Sequence, residues 1–179
     1  MDSYLERLQQ AIADITRGMA SDELTRHSEG KWSPAEILEH LYLTYTGTVK
    51  GFERCFQAGK PLGGAATLKQ RVSIALVTEL GYFPKSRKAP ERACPKGMSV
   101  EKVVADIGLQ IAAMDKIIAQ CEERYGARIK VLDHPVLGPL TARQWRKFHL
   151  AHGRHHVKQI LDRRNLQPQQ TPKTEKPPA

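Results

Sequence analysis

Apolar residues recur at three- and four-residue intervals along most of this chain, and the intervals predict helices. Tyr4, Leu5, Leu8, Ile12 and Ile15 predict the first, over 3–18, with Gly18 near its end. In Trp32-Ser33-Pro34-Ala35-Glu36-Ile37, Ser33 is placed as N-cap, Pro34 fits the first helical position, Glu36 completes a capping box and Trp32 can staple onto Ile37. That signal opens a helix over 34–57, which stops before Gly59 and Pro61. Leu68, Val72, Leu76 and Leu80 predict a short helix over 67–80, presenting them as its apolar face, and Gly81 and Pro84 end it. Ser99 caps a long helix over 99–124, in which Val103, Ile107, Ile111, Met114 and Ile118 form a core stripe and after which Gly126 closes. Thr141 with Gln144 makes another capping box, Leu140 can staple onto Trp145, and the last helix runs over 141–164.

Four long helices, a short one and no sheet predict an all-α fold, a helical bundle. Between the helices, 81–97 holds Pro84, Pro90, Pro95 and five cations against one Glu, and reads as a long irregular loop insertion and a candidate lid. The connection over 127–140 reads as an extended piece ending in a turn. Residues 166–179 are basic, rich in proline and almost free of apolar side chains, so a disordered tail is expected after a single domain over 1–165.

Charge modifies this picture only a little. The net charge of +9 invites a nucleic-acid reading, but much of the excess lies on one side of the last helix and in 85–92, with few aromatic residues interleaved for base stacking. Nucleic acid is therefore not an expected partner. The amphipathic, acidic start and the lack of a membrane-length apolar run predict a cytoplasmic protein without a membrane segment. Cys55, Cys94 and Cys121 lack CxxC spacing and read as free thiols. Cys94 lies among Arg92 and Lys96, with no histidine near it in sequence.

The candidate chemistry lies on the last helix, where His149, His152, His155 and His156 are four of seven histidines in the chain. With His152 at zero, His156 falls at about +40°, His149 at about +60°, Trp145 at about +20° and Gln159 at about −20°. Arg143, Arg146, Lys147, Arg154, Lys158 and Arg164 fall at least about 120° away, so the histidines are expected inward and the cations outward. An inward histidine is usually a hydrogen-bonded core residue, whereas two at i and i+4 can present nitrogens to one cation. On the second helix His40 shares a face with Glu36, Leu43, Thr44, Gly47 and Gly51. The two glycines either let a neighbour approach closely or leave a cavity beside His40. His134 reads as a loop residue rather than a ligand.

The early Lys31-Trp32-Ser-Pro-Ala-Glu-Ile-Leu-Glu-His40-Leu, with the late His152-Gly-Arg-His155-His156-Val-Lys-Gln159-Ile, resembles the DinB/YfiT-like superfamily over most of the chain to about residue 165. The resemblance implies a four-helix bundle, often a homodimer, with three histidines holding a divalent transition metal. By position these are His40, His152 and His156. His155 matches a histidine that commonly precedes the last ligand, Gln159 matches a frequent glutamine after it, and His149 has no counterpart. The loop over 81–97 and the tail lie outside the family pattern. All-nitrogen ligation does not identify the metal, because imidazole suits zinc, nickel, copper and iron alike; zinc or nickel is expected first, with iron, manganese or copper as further candidates. The resemblance implies transfer of a low-molecular-weight thiol to a small-molecule electrophile, while water on an open metal position allows hydrolysis. Glu36, one turn before His40, is the nearest candidate general base, and its capping-box role accounts for it equally. The alternative is a non-catalytic metal-binding or dimerisation module.

Overall fold

The computed structural model describes residues 1–83 and 88–165. The predicted tail over 166–179, and residues 84–87 of the predicted loop, lie outside them. The described chain is mostly helical, with six helices and one two-stranded sheet. In order these are α1 (Ser3–Thr16), α2 (Ser21–Thr25), α3 (Pro34–Gln57), α4 (Leu68–Thr78), a single 3-10 turn (Glu91–Ala93), α5 (Val100–Tyr125), β1 (Lys130–His134), β2 (Gly138–Thr141) and α6 (Ala142–Arg164). No described helix is long and apolar enough to cross a membrane.

The predicted starts are where the sequence places them, because each is fixed by side chains that satisfy otherwise orphaned amides. Ser33 accepts from the Glu36 amide while the Glu36 carboxylate accepts from the Ser33 amide. Thr141 and Gln144 repeat the exchange at α6, Thr67 and Gln70 at α4, and Ser99 caps α5 alone. Helix α1 ends two residues early, where the Thr16 hydroxyl bonds back to the Ile12 carbonyl and Gly18 takes φ +69°. The five residues of α2 are too few to show a period.

α3 packs along α5, and α1 lies along α6 and against α5. Their apolar stripes meet in one core, in which Leu8, Leu41, Tyr45, Phe52, Ile111 and Met114 have no exposed surface. The extended connection is a hairpin, with Leu132 opposite Leu140 and His134 opposite Gly138. It departs from the all-α expectation by one small sheet. The Nδ1 of His134 accepts from the amides of Val136 and Leu137, which closes the turn, and its ring lies 4.3 Å from that of Phe148. His134 is thus a hairpin anchor and not a free loop residue.

Two expectations are corrected and one open alternative is decided. The face of α4 expected inside is outside: Leu68 is 78% exposed and Leu80 73%, while Ile74 and Val77 are buried. Apolar residues occupy two sides of this helix, and the shorter side is the one that meets the body of the protein. Among the α6 cations, Arg146 is buried. Leu150, Gly153 and Ile160 form a second stripe about 80–160° round from His152, against α1, and Arg146 falls inside that stripe. Its guanidinium meets Glu122, with Asp2 and Asp115 carboxylates at 3.8 Å. Of the two glycines beside His40, Gly51 serves close approach: a Cβ there would stand 2.7 Å from Leu132 Cδ2. Gly47 is exposed, and a Cβ there would meet nothing within 4 Å.

Candidate metal centre

α3 and α6 bring His40, His152 and His156 together, with one ring nitrogen from each within 4.8 Å of the others. The Nε2 of His152 lies 3.1 Å from that of His156 and 3.4 Å from that of His40. Nitrogens bound at about 2.1 Å to one cation stand about 3.0–3.4 Å apart for bond angles between octahedral and tetrahedral. The spacing of these two pairs is therefore that of a shared ligand sphere.

Proton placement makes the same point. The Nδ1 of His40 is 2.7 Å from the Ala93 carbonyl oxygen, which can only accept, so the proton is on Nδ1. The Nδ1 of His156 is 2.8 Å from the side-chain oxygen of Gln159, whose NH2 donates to Nε2 of His155. In the neutral rings both Nε2 atoms then carry lone pairs, and both lie within 3.4 Å of Nε2 of His152. His152 has at most one proton to offer between them, and its Nδ1 is buried without a partner. A cation is what such a cluster of lone pairs accommodates.

Burial keeps the rings neutral, as metal ligands must be. His40 and His156 are buried and His152 half-buried. Desolvation, then the neighbouring His40, pushes His156 down to about 3, against the opposing Gln159 bond. His152 is lowered well below its ordinary value by burial first and then by His156 and His40. His40 is also lowered by burial, opposed by its bond to Ala93. Among the described residues no carboxylate bonds to any of the three rings. Aromatic rings border them: Trp32 beside His40, and Phe148 and Phe83, which also adjoin each other, beside His152.

The remaining candidates fall outside this cluster. His149, a turn before His152, is wholly buried, stacks on Trp145 and bonds through Nε2 to the Thr48 hydroxyl at 3.2 Å. It is a core histidine. His155 is exposed, against Phe83. Glu36 accepts from the Ser33 amide at 2.7 Å and lies 3.5 Å from His27 Nδ1, so its visible work is at the helix cap. The Cys94 thiol faces the Ala89 and Pro90 carbonyls. Sequence reasoning passed over Glu39, a buried carboxylate beside His40. A charged residue in the interior of an amphipathic pattern was its only signal.

Fold and site define a mainly helical protein with a three-histidine cluster, built from one residue of α3 and an i, i+4 pair of α6. The chain belongs to the family described as "Protein of unknown function (DUF1569)", whose model matches residues 1–163. Comparison with curated proteins finds no match, and neither does comparison with solved structures.

Proposed function

We propose that His40, His152 and His156 hold one divalent transition metal, zinc or nickel before iron, manganese or copper, and that the protein is a metal-dependent enzyme. The observation that carries this reading is the convergence of three Nε2 atoms, two of them fixed as acceptors by bonds from their own Nδ1. Three neutral ligands leave the cation its full charge and at least one open position, the arrangement of catalytic rather than structural sites. Bound there, the metal supplies a Lewis acid that lowers the pKa of a water or a thiol toward neutrality. Transfer of a low-molecular-weight thiol to a small electrophile is the first reaction to test, and hydrolysis the second. The motif resemblance to the DinB/YfiT-like superfamily favours this order, and with it a four-helix bundle and a homodimer. The aromatic side chains at the rings suit a substrate with an apolar body.

One observation favours a second reading, a non-catalytic interaction module: the exposed apolar side of α4, which a partner or second copy could cover. Untagged full-length protein, loaded with each metal in turn, separates the two in a thiol-plus-electrophile screen. The enzymatic reading expects turnover that requires metal and disappears in His152→Ala. Full metal loading with no turnover on any thiol or ester substrate favours the module.

A further inference from the structure

Glu39 is 3% exposed, and its carboxylate accepts from three successive backbone amides, Lys96 at 2.6 Å, Gly97 at 3.1 Å and Met98 at 3.2 Å. Gly97 has φ +82°, which turns the three amides toward one point in the manner of an anion-binding nest. The strap they belong to is the one whose Ala93 carbonyl receives the Nδ1 proton of His40. Consecutive residues of α3 therefore grip one strap twice, at Ala93 and at Lys96. Three residues of chain reach at most about 10 Å, so there is little slack between the grips. Burying a carboxylate costs several kcal/mol unless charge-assisted bonds offset it. Here all those bonds go to the strap.

We infer that Glu39 is a positioning residue: it fixes the strap so that the Ala93 carbonyl holds His40 with its proton on Nδ1 and its Nε2 lone pair facing His152 and His156. Partners of this kind orient metal-ligating histidines, and their loss typically weakens metal affinity 10- to 100-fold. The inference rests on the metal-binding reading for its consequence, but the orientation of His40 can be read in metal-free protein. Glu39→Gln keeps the volume and sets an NH2 group against amide donors. Gly97→Ala acts from the exposed strap alone, because a Cβ there touches nothing within 4 Å and only the positive φ is strained. It carries the test should Glu39→Gln fail to fold.

The experiment is nitrogen NMR of the His40 ring in full-length, metal-free protein, followed by zinc affinity from competition with a chromophoric chelator. Wild type should show His40 protonated at Nδ1. Glu39→Gln and Gly97→Ala should mix the two tautomers and weaken zinc binding roughly 10- to 100-fold, with Glu39→Asp recovering part of both. Unchanged tautomer and zinc affinity within twofold, while the amides of 96–98 lose exchange protection, would overturn the positioning role. A shifted tautomer in a protein whose wild type binds no zinc would leave that role standing and remove the metal-binding reading instead.

Discussion

Acid should destabilise the metal-free protein well before its carboxylates titrate. Burial holds His149 and His156 down to about 3 and His134 to about 4, with the neighbouring His134 and His40 adding to the effect at His149 and His156 and the Arg92 charge at His134. In the unfolded chain each returns to about 6.5. Between those values the unfolded state binds the additional protons, so stability is full above about pH 6.5 and is lost as pH falls toward 4. From pH 7.5 to 5.0 each histidine removes about 2 kcal/mol, and the three together about 6 kcal/mol, comparable with the whole stability of an ordinary domain. His40 and His152 are lowered as well and act in the same direction. Urea titrations followed by helical circular dichroism, on chelator-stripped protein at half-unit pH steps, measure the loss directly. Below pH 6 we predict a slope of about 4 kcal/mol per pH unit for the three, reduced by about a third in His149→Gln. A midpoint that stays constant between pH 7.5 and 5.0 would refute the claim that these rings are buried neutral.

Gly153→Ala should destabilise by about 1–3 kcal/mol through overpacking, because the added methyl collides with Leu8 of α1; thermal melts check it, and an unchanged melt would mean that α1 does not press on α6 there. Arg146→Ala should cost about 3 kcal/mol by leaving Asp2, Asp115 and Glu122 with no shared cation. Denaturant midpoints decide that, and a loss below about 0.5 kcal/mol would place Arg146 among ordinary surface charges. Glu36→Gln should leave the melting temperature within about 2 °C, since glutamine also completes a capping box. Any turnover found should survive in it if Glu36 only caps α3, and collapse if Glu36 is a general base.

The helix starts were legible because they depend on residues three apart: Ser33 with Glu36 and Thr141 with Gln144 need no tertiary information. The pairing of His152 with His156 was legible for the same reason, being one turn of one helix. That His40 faces them came from resemblance, since no local pattern relates α3 to α6. What periodicity missed was environment. Leu68, Val72, Leu76 and Leu80 form a longer stripe than Ile74 and Val77, yet the shorter one packs, and the choice depends on where α6 lies. Arg146 was expected in solvent because a single buried face was assumed for α6, whereas α1 covers a second. Glu39 and Ala93 were invisible as partners, for a carboxylate seeking backbone amides has no sequence spacing to betray it.

The central claim is that three named nitrogens form one metal site. Its most direct test is metal per chain, by equilibrium dialysis against zinc and elemental analysis, for the untagged full-length protein and for His40→Ala, His152→Ala, His156→Ala and His149→Ala. We predict one zinc per chain in wild type and in His149→Ala, and much less than one in each of the other three. No zinc in wild type, or equal loading in all five proteins, would contradict the account.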